Sequence, residues 1–118
     1  MSMELDIGID IEEISRFKLK REDNFIRDVF SEEEINYCYQ KSKPEIHLAG
    51  IFCAKEAVRK TLNIKNYDIK NITVTHDDTG KPLIRLKSEE LNEKYTFVIS
   101  ISHTNHYATS NALRIKNE

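Results

Sequence analysis

Three residues in this sequence are of the types that hold and neutralise phosphate charge: Asp10, Glu56 and Lys60. A hard cation such as Mg²⁺ takes oxygen ligands, keeps several waters, and is commonly held by one or two carboxylates together with substrate phosphates. A strand-end Asp10 and a mid-helix Glu56 supply that minimum, provided the helix packs across the strand end. Lys60, one turn beyond Glu56, would then face the same phosphates. The spacing leaves a plainer reading open. Glu56 and Lys60 also make a solvated i,i+4 pair, and Asp10 also suits a cap for the segment that follows its strand. Other chemistries have less support. There is no P-loop and no G-x-G-x-x-G. His76, His103 and His106 do not form an H-x-x-x-H helix pattern, and Ser102-His103 lacks an obvious third partner for nucleophilic catalysis.

The elements that must position these residues can be read in order. Leu5, Ile7, Ile9 and Ile11 alternate with Asp6, Gly8, Asp10 and Glu12, which predicts a half-buried strand. Asp6 and Asp10 then project from one face, although aspartate is disfavoured in strands. Glu13 to about Arg27 reads as a helix with Ile14, Phe17, Phe25 and Ile26 as its apolar contacts. It is also basic, carrying Arg16, Lys18, Lys20, Arg21 and Arg27, and such a run is ordinarily a solvated face. Ser31 with Glu34 three residues later forms a capping box, opening a second helix that should end near Lys41–Ser42 ahead of Pro44.

The central helix runs from about Ile46 to Leu62. Leu48, Ile51, Phe52, Cys53, Ala57, Val58 and Leu62 recur at helical intervals and give it a broad apolar face, with Glu56 beside that face. The pattern then changes. Ile69, Ile72 and Val74 lie in a β-rich run, and Asp77 to Pro82 is a turn with Gly80 where positive φ is needed. Leu83–Leu86 is a returning strand, Ser88–Glu93 a short helical excursion, and Phe97–Ser102 and Tyr107–Ile115 a last hairpin across residues 103–106. Helices followed by strands argue for an α+β fold, with an antiparallel sheet packed against a long central helix.

At 118 residues the chain reads as a single domain, residues 1–118, large enough to bury a core without disulfides or a structural metal. A net charge of −2 excludes a general case for nucleic-acid binding. Cys38 and Cys53 lie far apart with no C-x-x-C pair, so they read as reduced residues on helix faces of a cytoplasmic protein. No apolar run approaches a membrane span, and no basic-plus-apolar leader precedes Met3.

Five blocks carry a resemblance that spacing alone does not. Gly8-Ile9-Asp10-Ile11-Glu12-Glu13-Ile14-Ser15-Arg16 resembles the opening signature of 4′-phosphopantetheinyl transferases of the holo-[acyl-carrier-protein] synthase type. Phe30-Ser31-Glu32-Glu33-Glu34 with Tyr37-Cys38 is similar to their second segment. Phe52-Cys53-Ala54-Lys55-Glu56-Ala57 with Lys60 resembles their F-[AC]-A-K-E-A-x-x-K helix. Gly80-Lys81-Pro82, and Ser100 to Thr104 with Tyr107-Ala108, match the later blocks. The blocks keep their order and span nearly the whole chain.

That resemblance implies transfer of 4′-phosphopantetheine from coenzyme A to a serine of an apo acyl carrier protein, releasing adenosine 3′,5′-bisphosphate. It implies Asp10 and Glu56 as ligands of Mg²⁺, Lys60 as the phosphate lysine, and Glu56 as the group that orients the serine. It implies Lys81, Pro82 and His103, with Lys60, as coenzyme A contacts. Arg16, Lys20 and Arg21 would meet the acidic helix of the carrier, and the assembly would be a homotrimer with sites between subunits. Two departures stand out. Ile51 occupies the position where the family usually has arginine, and residues 63–67 form a short loop without glycine. They keep open an alternative, a non-catalytic carrier-binding relative with a weakened coenzyme A site. A further alternative is an unrelated α+β protein whose acidic residues are merely solvated.

Overall fold

A computed structural model describes residues 3–118. Its strands are β1 (Leu5–Glu13), β2 (Ile72–His76), β3 (Pro82–Leu86), β4 (Tyr95–His103) and β5 (Tyr107–Lys116). Its helices are α1 (Asn24–Val29), α2 (Glu32–Tyr39), α3 (Pro44–Leu62) and α4 (Glu89–Lys94). The fold is α+β. An antiparallel sheet in the order β1-β5-β4 packs against α3, and β2 and β3 pair as a separate hairpin. The helical half is therefore followed by two sheets, and the N-terminal strand joins the last one.

The central helix begins at Pro44, which is tolerated at the first helical position because its missing N–H would be unpaired there anyway. It ends at Asn63 in the left-handed conformation, φ 58°. Its expected apolar face is the core: Leu48, Ile51, Cys53, Ala57, Val58 and Leu62 are all buried. Phe52 stands at the rim in an aromatic group with Phe17 and Phe25, at ring separations of 5.4 and 6.0 Å. The capping box forms as expected, with the Glu34 N–H donating to Ser31 Oγ at 3.1 Å and the Ser31 N–H to Glu34 Oε1 at 2.8 Å. Gly80 takes φ +87°, and Asp77 Oδ1 accepts from the Thr79 and Lys81 N–H groups to close the turn.

One expectation is corrected, and one question the sequence left open is settled. The helix read over Glu13–Arg27 does not form as one element. It divides into a single 3₁₀ turn at Ile14–Phe17, an irregular stretch, and α1, which Asp23 caps through the Phe25 N–H at 2.9 Å. A side chain that caps the backbone starts a helix, and here that start falls inside the basic run. The open question is the buried face of β1, which alternation alone leaves undecided. Ile7, Ile9 and Ile11 point outward and are 64–68% exposed, whereas Gly8, Asp6, Asp10 and Glu12 face α3. The reason is contact distance. A Cβ on Gly8 would lie 2.1 Å from the Ala57 carbonyl oxygen, so only glycine lets strand and helix meet. The period of two then carries the acidic residues inward with it.

A candidate phosphate-transfer site at the strand–helix contact

Where β1 crosses α3, the Gly8–Ala57 contact brings the carboxylates of Asp10 and Glu12 to the flank of Glu56 and Lys60. Lys60 Nζ donates to the Ile9 carbonyl at 2.7 Å and lies 3.4 Å from Asp10 Oδ1. Glu56 does not pair with Lys60, as the i,i+4 spacing suggested. Arg59, one residue earlier, reaches it instead and donates to Glu56 Oε2 at 2.9 Å. The strand backbone occupies Lys60, so the second carboxylate takes the next cation along.

Two oxygens remain without an aligned donor. Asp10 Oδ2 and Glu56 Oε1 are both buried and accept no hydrogen bond, although Arg59 Nη2 lies 2.7 Å from Glu56 Oε1 as an ion-pair contact. Buried acceptors are normally satisfied, so orphaned carboxylate oxygens point to a missing electropositive partner. Among the described residues no three acidic, histidine or cysteine side chains are arranged as a complete metal cage. Two carboxylates suit Mg²⁺, which keeps waters and takes substrate phosphate rather than a full protein shell. The residues present therefore fit that ion.

Glu12 is the participant the sequence reading missed. Burial, a hydrogen bond to Asp10 and the Asp10 charge push its carboxyl up to about 7, against the opposing pull of Arg16. The signal was visible, since Glu12 follows Asp10 by two residues on the same strand face. The strand register extends the site sideways. Glu12 pairs with Ala108, which pairs with His103, two strand spacings or about 10 Å across the sheet.

At that far end lies a cavity of about 360 Å³ in which Lys81, Pro82 and His103 come together, lined also by His47, Ile51 and His76. Three of the four expected coenzyme A contacts thus share one cavity, while the fourth, Lys60, stands outside it with Asp10 and Glu56. Gly50 permits the close approach of α3 to β4 at this cavity, because a Cβ there would come within 2.9 Å of Ile101. Ile51 is 2% exposed and anchored in the core. The basic residues are scattered. Arg16 contacts Glu12 from the 3₁₀ turn, Lys20 is exposed, and Arg21 binds Asn36 and lies 3.3 Å from Glu32.

A second buried charge pair lies next to Glu56 on the opposite side of α3. Lys55 Nζ donates to Glu34 Oε1 and to the Val29 carbonyl, each at 2.7 Å, and Glu34 Oε2 accepts the Val74 N–H at 2.8 Å. Both side chains are fully buried. The pair fastens α3 to α2 and β2, which leaves Glu56 on the open side.

A family model described as the 4′-phosphopantetheinyl transferase superfamily matches residues 6–112, and the chain belongs to that family. Among relatives, a protein from Caldanaerobacter subterraneus named holo-[acyl-carrier-protein] synthase is 37% identical over 98% of each chain. One of the same name from Caldicellulosiruptor saccharolyticus is 40% identical, covering 98% of this chain and all of its own. A solved holo-(acyl-carrier-protein) synthase from Bacillus anthracis, in complex with CoA (3′,5′-ADP), superposes with a TM-score of 0.82 at 30% identity, covering 98% of this chain and all of that one. The Helicobacter pylori enzyme in complex with coenzyme A gives 0.78 at 30% identity, over 91% and 97% of the two chains. The resemblance found in the five sequence blocks is borne out at the level of family and fold.

Proposed function

We infer that this chain transfers 4′-phosphopantetheine from coenzyme A to a serine of an apo acyl carrier protein, releasing adenosine 3′,5′-bisphosphate. The observation that carries the reading is the pair of buried carboxylate oxygens on Asp10 and Glu56 that accept no hydrogen bond, with Lys60 alongside. Full-length likeness to holo-[acyl-carrier-protein] synthases supports it. Asp10 and Glu56 would hold Mg²⁺, which supplies charge neutralisation at the pyrophosphate. Lys60 adds a fixed cation to the same phosphates. Glu56 orients the carrier serine for removal of its proton. The cavity beside Lys81, Pro82 and His103 takes the nucleotide end of coenzyme A.

Arg16, Lys20 and Arg21 would offer positive charge to an acidic helix of the carrier. The outward face of β1 supports self-association as a homotrimer. Ile7, Leu113 and Val98 form a cross-strand apolar row there, with Ile9 and Ile11 beside it, and contiguous exposed apolar surface of this kind marks an interface. All of residues 1–118 act as one domain. Free, buried Cys38 and Cys53 suit the reducing cytoplasm, and among the described residues no helix is long and apolar enough to cross a membrane.

Intact-mass spectrometry tests the reading. An apo acyl carrier protein incubated with this protein, coenzyme A and Mg²⁺ should gain the mass of phosphopantetheine. A chelator should abolish the gain, as should Asp10→Ala or Glu56→Ala without loss of fold. No gain with several carriers would indicate a carrier-binding relative without transferase activity, and full activity in either variant would refute the metal site.

A further inference from the structure

Three imidazoles converge on the cavity at the sheet's far end. His47 enters from α3, His76 from the end of β2 and His103 from the end of β4. Among the described lining residues, Lys81 alone carries a permanent positive charge. His76 is held in place by stacking on Tyr37, with ring centroids 4.0 Å apart and planes within 9°. The same Tyr37 ring meets His47 edge-on at 6.1 Å. Ile51 and Pro82 add apolar surface to the same lining. Imidazoles held beside apolar surface suit a phosphate-bearing nucleoside.

We propose that His47 and His76, together with His103, grip the phosphate groups at the nucleotide end of coenzyme A, and that His47 and His76 take up protons as they do so. The proposal rests on the reading of this cavity as the nucleotide site and adds two contacts that spacing in the sequence did not suggest. In the free protein both rings are driven toward neutrality. Burial lowers the proton affinity of His47 first, then the charges of Lys41, His103 and His76, with Glu45 opposing. Burial and Lys41 act likewise on His76, against Asp77 and Glu34. A bound phosphate reverses this balance, because an anion within hydrogen-bond reach favours the imidazolium.

The sign of the effect follows. Affinity from this source is complete below the free-state pKa of each ring and is lost as pH rises through the higher pKa of the complex. A phosphate monoester gains its second charge near pH 6, so a grip by Lys81 alone would hold or tighten as pH rises. The two sources therefore differ in direction above that pH. For each unit by which binding raises one imidazole, affinity changes about tenfold across the titration.

The test is calorimetric titration of the protein with adenosine 3′,5′-bisphosphate at pH 6.5 and 8.0, in buffers of differing ionisation enthalpy. The expected result is a Kd about tenfold higher at pH 8.0, with net proton uptake on binding near neutrality. His47→Gln should lose much of that uptake while leaving the Tyr37–His76 stack intact, and His76→Gln should lose a further part. A Kd that is flat or falls with rising pH would overturn the proposal, as would unchanged proton uptake in both variants. A preparation that transfers phosphopantetheine but binds no bisphosphate at either pH overturns this inference and leaves the transferase reading standing. Loss of both activities overturns the two together.

Discussion

Replacing Gly8 with alanine adds one methyl group at the most crowded point of the molecule. The new Cβ would sit 2.1 Å from the Ala57 carbonyl oxygen, 3.1 Å from its carbon and 3.2 Å from Lys60 Cβ. Ordinary contact begins near 3.4 Å, so β1 and α3 must separate by more than 1 Å. The obstacle is helix backbone, which cannot rotate away as a side chain would. Overpacking of this kind costs about 1–3 kcal/mol, a fall in Tm of roughly 4–12 °C for a domain of this size. The functional cost should be larger than the stability cost suggests. Asp10 lies on the strand that moves and Glu56 on the helix it moves from, and a misplacement of about 1 Å in a reacting constellation lowers rate about a hundredfold. Steady-state transfer of phosphopantetheine to apo carrier, followed by mass, should show kcat/KM reduced by that factor, with circular dichroism still reporting a folded chain at 25 °C. An alanine variant within threefold of the parent activity and with an unchanged melt would refute the argument that this glycine sets the site geometry.

Other substitutions separate the roles of the remaining charges and surfaces. Lys55→Met leaves Glu34 buried without its cation and should cost about 3–5 kcal/mol in urea denaturation; adding Glu34→Gln should recover part of it, and a loss below about 1 kcal/mol in the single variant would show that the pair is not a fastening. Ile9→Asp charges the exposed sheet face and should convert a self-associated species to a monomer in light scattering, an outcome excluded if the parent is already monomeric at micromolar concentration. Arg16→Ala should raise the KM for carrier about three- to tenfold with little change in that for coenzyme A, consistent with loss of one steering contact; an unaltered carrier KM would remove Arg16 from that surface.

The elements whose logic is local were legible from residue order. Ser31 and Glu34 cap each other within one turn, Gly80 meets a positive φ that its turn demands, and the apolar stripe of α3 follows from helical spacing. The family was legible for a different reason, since five short motifs keep their order along the chain. Local pattern misled where two influences competed. Apolar residues through Glu13–Arg27 suggested one helix, but Asp23 caps a new start inside it. The alternation of β1 predicted a half-buried strand correctly and left undecided which half is buried, because period two is symmetric under exchange of faces. Only the tertiary contact of Gly8 with Ala57 broke that symmetry, turning the isoleucines out and Asp10 and Glu12 in.

The same division applies to the site. Residue types named Asp10, Glu56 and Lys60 as a set able to act on phosphate. Lys60 was taken from Glu56 and given to the Ile9 carbonyl by a strand fifty residues away, which no i,i+4 rule can anticipate. Glu12 joined the cluster because the Gly8–Ala57 contact turns its strand face inward, where burial and Asp10 act on it together. His47 and His76 met only because α3 and β2 both pack against Tyr37. Sequence determines which groups a chain possesses and how neighbours along it are oriented. Which of them share a dielectric environment, and hence which charges are left wanting a partner, is decided by packing between segments that are distant in the chain.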